Sequence, residues 1–315
     1  MRSLAVWLLA AVCLGWAVVR LLGLERGYPL VPLAAFTPFV AVGAAAVVLI
    51  ALVLRQRAAA LLAAVATLVL VAVVAPRALG GPSAPEGAAG PRLRVLTANM
   101  HFGGGSAEEL VALVRRTGAT VLSVQELTPE LAQRLDAAGL AELMPSRVLE
   151  AQPRGSGIGL YARVPLNPHA VIRRTRNPSP VGSAQLPGAP PVDVVGVHAT
   201  APLRGWRLRQ WRADLRALPP ATPDGRLRIL AGDFNATLDH AELRRLLDSG
   251  YEDAAAEVGA GLQGTWPRGR RFPPPVTIDH VLADERCGVR AVSVHTIAGT
   301  DHRAVLAELE LPAAG

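Results

Sequence analysis

The near absence of charge in the first 75 residues limits most sharply what this chain can fold into. Within residues 1–80 the ionisable side chains are Arg2, Arg20, Glu25, Arg26, Arg55, Arg57 and Arg77, besides Cys13 and Tyr28. Three apolar stretches, at about 4–24, 33–54 and 58–75, approach or reach the ~20 residues a helix needs to cross ~30 Å of hydrocarbon. They predict a transmembrane anchor of three helices within residues 1–77. Arg2 ahead of an apolar core also fits a secretory signal, but no small-x-small cleavage site precedes Glu25 and Arg26, which favours the anchor. Arg20 is placed to snorkel to the interface. Only Arg55-Gln56-Arg57 separates the last two stretches, which reads as a tight hairpin whose arginines mark the cytoplasmic side. The resulting expectation is a multi-pass cell-membrane protein with its remaining domain extracytoplasmic.

This asymmetry changes the meaning of the charge. The formal net charge is +7, and six arginines against one glutamate account for +5 within residues 1–80, leaving +2 for the rest. A strongly basic chain ordinarily points to nucleic acid. Here the surplus lies at membrane boundaries and the remainder is close to neutral. Cys13 and Cys287 fall in different parts of the chain, so they form no disulfide within the globular part and do not identify a compartment. Residues 78–91, ALGGPSAPEGAAGP, lack periodicity and read as a flexible linker reaching roughly 20 Å.

Residues 92–315 alternate strand and helix signals. Apolar, β-branched runs predict strands at 93–98, 120–125, 157–162, 192–198, 227–231, 276–282, 289–297 and 305–309. Ser106 with Glu109, Thr128-Pro129, and Asp239 with Glu242 mark helix starts. Leu208, Trp211, Leu215 and Leu218 share one helical stripe. The mixture suits a four-layer α/β sandwich, two packed mixed sheets flanked by helices.

Polar residues cluster where these strands end. Asn99 follows the first, Glu126 the second, His198 closes another, and Gly232-Asp233-Phe234-Asn235 follows the next; Asp279 lies in a strand and Asp301-His302 precedes the last. Loops at strand ends let a rigid scaffold converge side chains on one cleft. Singly, each has a plain structural reading: an Asx turn for Asp233 and Asn235, a solvated helix start for Glu126, a structural histidine for His198 or His302.

In order and wording the segments LTANM (96–100), VQE (124–126), VGVHAT (195–200), LAGDFNAT (230–237), TIDHVLA (277–283) and GTDHRAV (299–305) resemble the endonuclease/exonuclease/phosphatase superfamily. The resemblance covers essentially the whole globular part. It implies a divalent-metal-dependent hydrolase of phosphate esters, with Mg²⁺ or Mn²⁺ as cofactor. Glu126 is implied as leading metal ligand, with Asn99 positioning metal and phosphate and Asp301 a second candidate ligand. Asp233 is implied to orient or deprotonate the attacking water, and Asn235 and His198 to donate to the phosphoryl oxygens. Asp279 is the implied carboxylate partner of a protonated His302. His280, one residue on, should face the other way in a regular strand and serve structure.

Trp266 is a candidate aromatic contact to substrate. Arg268, Arg270 and Arg271 are candidate phosphate contacts or an exposed charged loop. His101, His169, His240 and His295 have no supporting context. After Asn99 the chain reads MHFGGG, without the carboxylate of apurinic-type nucleases, which weakens a DNA-repair assignment. The expected partners are the lipid bilayer and a phosphoester substrate, with extracytoplasmic nucleic acid as an alternative substrate and a non-catalytic receptor for a phosphorylated ligand as an alternative role. The tether enters the N-terminal end of the first strand and Asn99 leaves its C-terminal end, about 20 Å away at ~3.3 Å per residue. By default, then, the site faces away from the bilayer.

Overall fold

A computed structural model of the protein describes residues 2–83 and 89–314; the middle of the segment read as a linker, residues 84–88, lies outside them. In chain order the elements are α1 (Arg2–Leu22), α2 (Leu30–Ala34), α3 (Thr37–Val53), α4 (Arg57–Val74), α5 (Pro76–Leu79), β1 (Arg92–Asn99), α6 (Ala107–Thr117), β2 (Val121–Gln125), α7 (Pro129–Ala137), α8 (Leu140–Leu143), β3 (Ser146–Glu150) and β4 (Ile158–Ala162). There follow β5 (Leu166–Ile172), β6 (Ser179–Ala184), β7 (Val192–His198), α9 (Trp206–Ala217), β8 (Leu227–Asp233), α10 (Ala241–Leu247), β9 (Tyr251–Asp253), α11 (Ala254–Glu257), β10 (Asp279–Asp284), β11 (Gly288–Thr296) and β12 (Arg303–Glu310).

The strands form two six-stranded mixed sheets, ordered β11-β12-β1-β2-β4-β3 and β5-β6-β7-β8-β10-β9. Val95, Val121 and Leu160 of the first sheet interlock with Val194, Ile229 and Val281 of the second in one buried layer. The outer faces are covered by helices. Leu110, Leu113 and Val114 of α6 and Leu131 and Leu135 of α7 pack on the first sheet, while Leu208, Trp211 and Leu215 of α9 and Leu243 and Leu246 of α10 pack on the second. Two sheets flanked by helices match the predicted sandwich.

Register is what brings the functional side chains together. Parallel β1 and β2 set Asn99 beside Gln125, and parallel β7 and β8 set His198 beside Asp233. Antiparallel β8 and β10 set Asp279 opposite Asp233. A buried Ser123 hydroxyl donating to the Ala231 carbonyl (2.9 Å) joins the two sheets beneath these ends.

Helix starts follow the local signals with two departures. Ser106 accepts from Glu109 N (3.1 Å), but the Glu109 carboxylate accepts from Ala298 N instead of completing a capping box. Asp239 does not cap α10, whose N-cap is His240; its carboxylate takes Arg20 and Arg77 instead, and Glu25 accepts from Ala241 N in its place. Strands β3, β5, β6 and β9 were not among the sequence-predicted runs. The predicted run 276–282 divides, Val276 pairing with Trp266 before β10 starts at Asp279.

The expectation of three transmembrane helices is borne out in part. Among the described residues two helices are long and apolar enough to cross a membrane, Ser3–Leu22 and Arg57–Val74, the first near the N-terminus. The middle stretch breaks into α2 and the 17-residue α3, about 25 Å at 1.5 Å per residue. Pro29, Pro32 and Pro38 remove backbone donors there, and the Thr37 hydroxyl donates to Ala34 O (2.8 Å) at the break. Small residues, Ala10, Ala17, Ala44, Ala63 and Ala66, line the seam between α1, α3 and α4, while Leu8, Val12, Leu49, Val53, Leu61 and Leu68 point outward. Arg20 does not snorkel into an interface: it is buried against Asp239 Oδ1 at 2.7 Å. The described flanks of the 78–91 segment bond to the domain, Ser83 N to Val289 O and Gly90 N to Leu311 O.

Candidate active site

The strand ends open on a cleft of about 730 Å³. On its floor the Asn99 amide donates to Glu126 Oε1 (3.2 Å) and to Asp233 Oδ2 (3.0 Å), a strut between the two sheets. Asn99 Oδ1 accepts from His101 N (3.0 Å), and Glu126 Oε2 accepts from Phe102 N. Asp233 Oδ1 accepts from Asn235 N (2.8 Å), and the Asn235 amide donates to Ala199 O (2.9 Å) and Asp233 Oδ2 (3.2 Å). His198 Nε2 stands 3.8 Å from both Glu126 Oε1 and Asp233 Oδ2, its main-chain carbonyl held by Asn177 at 2.9 Å. His302 Nδ1 meets Asp279 Oδ2 at 2.9 Å, turning Nε2 toward Asp233 Oδ2 at 3.9 Å. Trp266 Nε1 donates to Asp301 Oδ2 (2.9 Å).

All nine sequence-predicted site residues thus gather at one cleft. Glu126 (φ +57°) and Asn235 (φ +47°) hold left-handed backbone, uncommon for side-chain-bearing residues and found where surrounding structure enforces a functional geometry. His280 faces away as anticipated, bonded to Asp253 Oδ2 (2.6 Å) and Ala236 O (2.9 Å).

Electrostatics separates the two central groups. Burial raises the Asp233 carboxyl, and the Asp279 charge adds to it; His302 and His198 pull the other way, leaving it pushed up to about 6. Burial disfavours the His302 cation, but Asp279, then Asp233 and Asp301, outweigh it and raise the imidazole to about 10. A carboxylate ready to take a proton therefore faces an imidazolium.

Among the described residues two sets at the cleft could hold a metal. Asp233, Asp279 and His302 bring donor atoms within 4.8 Å of one another, but His302 and Asp279 already engage each other. The other set is Glu126, Asn99 and Asp301. Asp301 Oδ1 is buried without a hydrogen-bond partner among the described residues, and Asn99 Oδ1 has a lone pair left beyond its bond from His101 N. The Glu126 and Asp301 carboxylates and the Asn99 amide oxygen are all hard oxygen donors. Such donors fit a hard divalent cation.

Sequence reasoning missed part of the lining. Phe102, Arg154, Arg176, Trp206 and Arg207 also line the cleft, and His101 lies 4.0 Å from Asp301. No local motif marks these positions; tertiary folding brings them there. Of the arginines singled out beforehand, Arg268 donates to Ile297 O (2.6 Å) and Thr300 O (3.2 Å), bracing the turn that carries Asp301, and Arg270 and Arg271 do not line the cleft.

A two-sheet sandwich whose acids, amides and imidazoles converge at strand ends over one cleft defines a class of proteins built around a single polar site. Residues 96–302 match the model of the Endonuclease/Exonuclease/phosphatase family, and the chain belongs to that family. The structure resembles an endonuclease/exonuclease/phosphatase from Beutenbergia cavernae (17% identity, 70% of this chain and 72% of that one, TM-score 0.51). It also resembles a humanized TDP2 from D. rerio (16% identity, 69% and 98%, TM-score 0.55). A third is TDP2 from C. elegans (14% identity, 70% and 75%, TM-score 0.55). At these identities the likeness is one of fold. No curated protein matches the sequence.

Proposed function

We propose that the protein is a membrane-anchored, divalent-metal-dependent phosphodiesterase that hydrolyses its substrate by in-line attack of water. One observation carries this reading: Asp233 is buried between Asn99, Asn235, His198 and the His302–Asp279 pair, all aimed at the same point in an open cleft. Asp233 orients the attacking water and accepts its proton. Asn235 and His198 donate to the phosphoryl oxygens, and the His198 Nε2 edge is open to the cleft for that purpose. His302, held by Asp279, sets positive charge against the pentacoordinate phosphorus. Asn99 keeps Glu126 and Asp233 at fixed separation. Glu126, Asp301 and Asn99 would hold Mg²⁺ or Mn²⁺, which when bound neutralises charge on the phosphate. Trp266 walls the cleft beside Asp301.

The anchor reading rests on the inverted packing of the N-terminal bundle, small residues inside and large apolar ones outside, which suits helices in lipid. Arg55 and Arg57 lie at the end of the bundle away from the domain and set that end in the cytoplasm by the positive-inside rule. The full chain in detergent with Mn²⁺ should release nitrophenolate from bis(p-nitrophenyl) phosphate. Chelation and Glu126→Ala should each abolish turnover, and metal-independent activity refutes the mechanism. Protease added outside intact cells should remove the domain; full protection reverses the orientation.

A further inference from the structure

Three loops that line the cleft from the second sheet run on into the helical bundle. The loop after β7 carries Arg204, whose guanidinium stacks over the Tyr28 ring at 5.1 Å in the turn between α1 and α2. The loop after β8 leaves the cleft at Asn235; Leu238 O and the Asp239 carboxylate then take Arg20 (3.1 and 2.7 Å), and His240 Nε2 meets Val31 O at 2.9 Å. The segment between Thr265 and Ile278 shows Trp266 and Ile278 to the cleft. Its Pro275, Val276 and Thr277 line a cavity of about 520 Å³ whose far wall is Phe39 and Val42 of α3 and Val71 and Val74 of α4. These contacts all fall at one end of the bundle, the C-terminal ends of α1 and α4 and the N-terminal half of α3. The active-site end of the sandwich therefore rests on the bundle, the reverse of the orientation the tether alone implied.

Apolar, aromatic and basic side chains stand exposed on the loops at this junction. Tyr28, Leu203, Trp206 and Phe272 are 56%, 49%, 47% and 87% exposed. Arg176 and Arg207 stack on Trp206 at 4.9 and 5.6 Å and line the cleft. Amphipathic aromatics and arginines at the end of apolar helices are the chemistry of a bilayer interface, where anionic headgroups attract basic side chains. Planar guanidinium forks also match a phosphate.

We propose that the substrate is a phosphodiester carried on a membrane amphiphile, taken from the bilayer surface on which this collar rests, with its headgroup in the cleft. The proposal rests on the hydrolase reading above and names its substrate class. Water oxygen bonds to phosphorus and its proton passes to Asp233, while the phosphorus–oxygen bond to the leaving group breaks with the electron pair on that oxygen.

The test compares hexadecyl p-nitrophenyl phosphate embedded in dioleoylphosphatidylcholine vesicles with ethyl p-nitrophenyl phosphate in solution, using the full chain in the same vesicles with Mn²⁺. Both lose the same nitrophenolate, and only one sits in the bilayer. The expected result is a kcat/KM about tenfold or more higher for the hexadecyl ester. Leu203→Asp and Phe272→Asp, outside the catalytic cleft, should erase most of that advantage while leaving ethyl-ester turnover unchanged, which also reports that the variants fold. Equal kcat/KM for the two esters, or an advantage untouched by both variants, overturns the proposal and leaves the hydrolase reading standing. Release from neither ester overturns both.

Discussion

Replacing Asp239 with alanine should detach the bundle from the sandwich more effectively than any surface change. Its side chain is fully buried and meets Arg20 Nε at 2.7 Å and Arg77 Nη1 and Nη2 at 2.8 and 2.6 Å, with Arg20 and Arg77 side chains only 10% and 8% exposed. Burial raises the Asp239 carboxyl, but the two guanidiniums outweigh it and hold it below the usual carboxylate range. The carboxylate is therefore ionised at neutral pH, and removing it strands two buried guanidinium groups. Breaking a buried ion pair from one side costs about 3–5 kcal/mol. At roughly 2–4 °C per kcal/mol for a chain of this size, the unfolding midpoint should fall by about 6–20 °C. The assay is thermal unfolding of the full chain in mild detergent, followed by circular dichroism. The triple variant Asp239→Leu, Arg20→Met, Arg77→Met should recover to within about 1 kcal/mol of wild type, because it removes the charges together. A shift under about 2 °C for Asp239→Ala would refute the reasoning, since the junction would then be held by its other polar and apolar contacts.

Asp279→Asn should lower kcat on bis(p-nitrophenyl) phosphate by about 10²–10⁴-fold, and adding it to His302→Ala should cost little more, because the two act as one unit; additive losses in steady-state kinetics would separate them. Burial opposes the His280 cation, but Asp253 overcomes it and raises the imidazole above its ordinary value. That contribution to stability is complete below the ordinary histidine range and is lost as pH rises through the elevated value. Unfolding midpoints should accordingly decline over that window, and Asp253→Asn should flatten the decline; an unchanged slope would exclude the pair as its source.

Much of the site was legible in the sequence because strand ends are local events. A β-branched run followed by Asn99, Glu126 or Asp233 already says that a polar side chain leaves a strand, and parallel pairing then aligns His198 with Asp233. His280 was read as structural from the pleat alone, and it faces Asp253. Strands β5 and β6 escaped notice because Pro168 and Pro180 interrupt their apolar runs. The apparent capping signal at Asp239 misled because a carboxylate at a helix start and one that pairs with distant arginines look alike in sequence; Arg20 is 219 positions away.

The sequence by itself determined the two-part composition, the strand-end acids and imidazoles, and the side of each strand they occupy, since these depend on side-chain period and local turn chemistry. Only the tertiary structure decided what the two parts do to one another. The arginines of the N-terminal helices found their partner in the loop beyond Asp233, so the cleft opens at the end that meets the bundle. The same folding carried Arg176, Trp206 and Arg207 to its rim. Such contacts join residues far apart along the chain, and their energy depends on burial and geometry that no local pattern records.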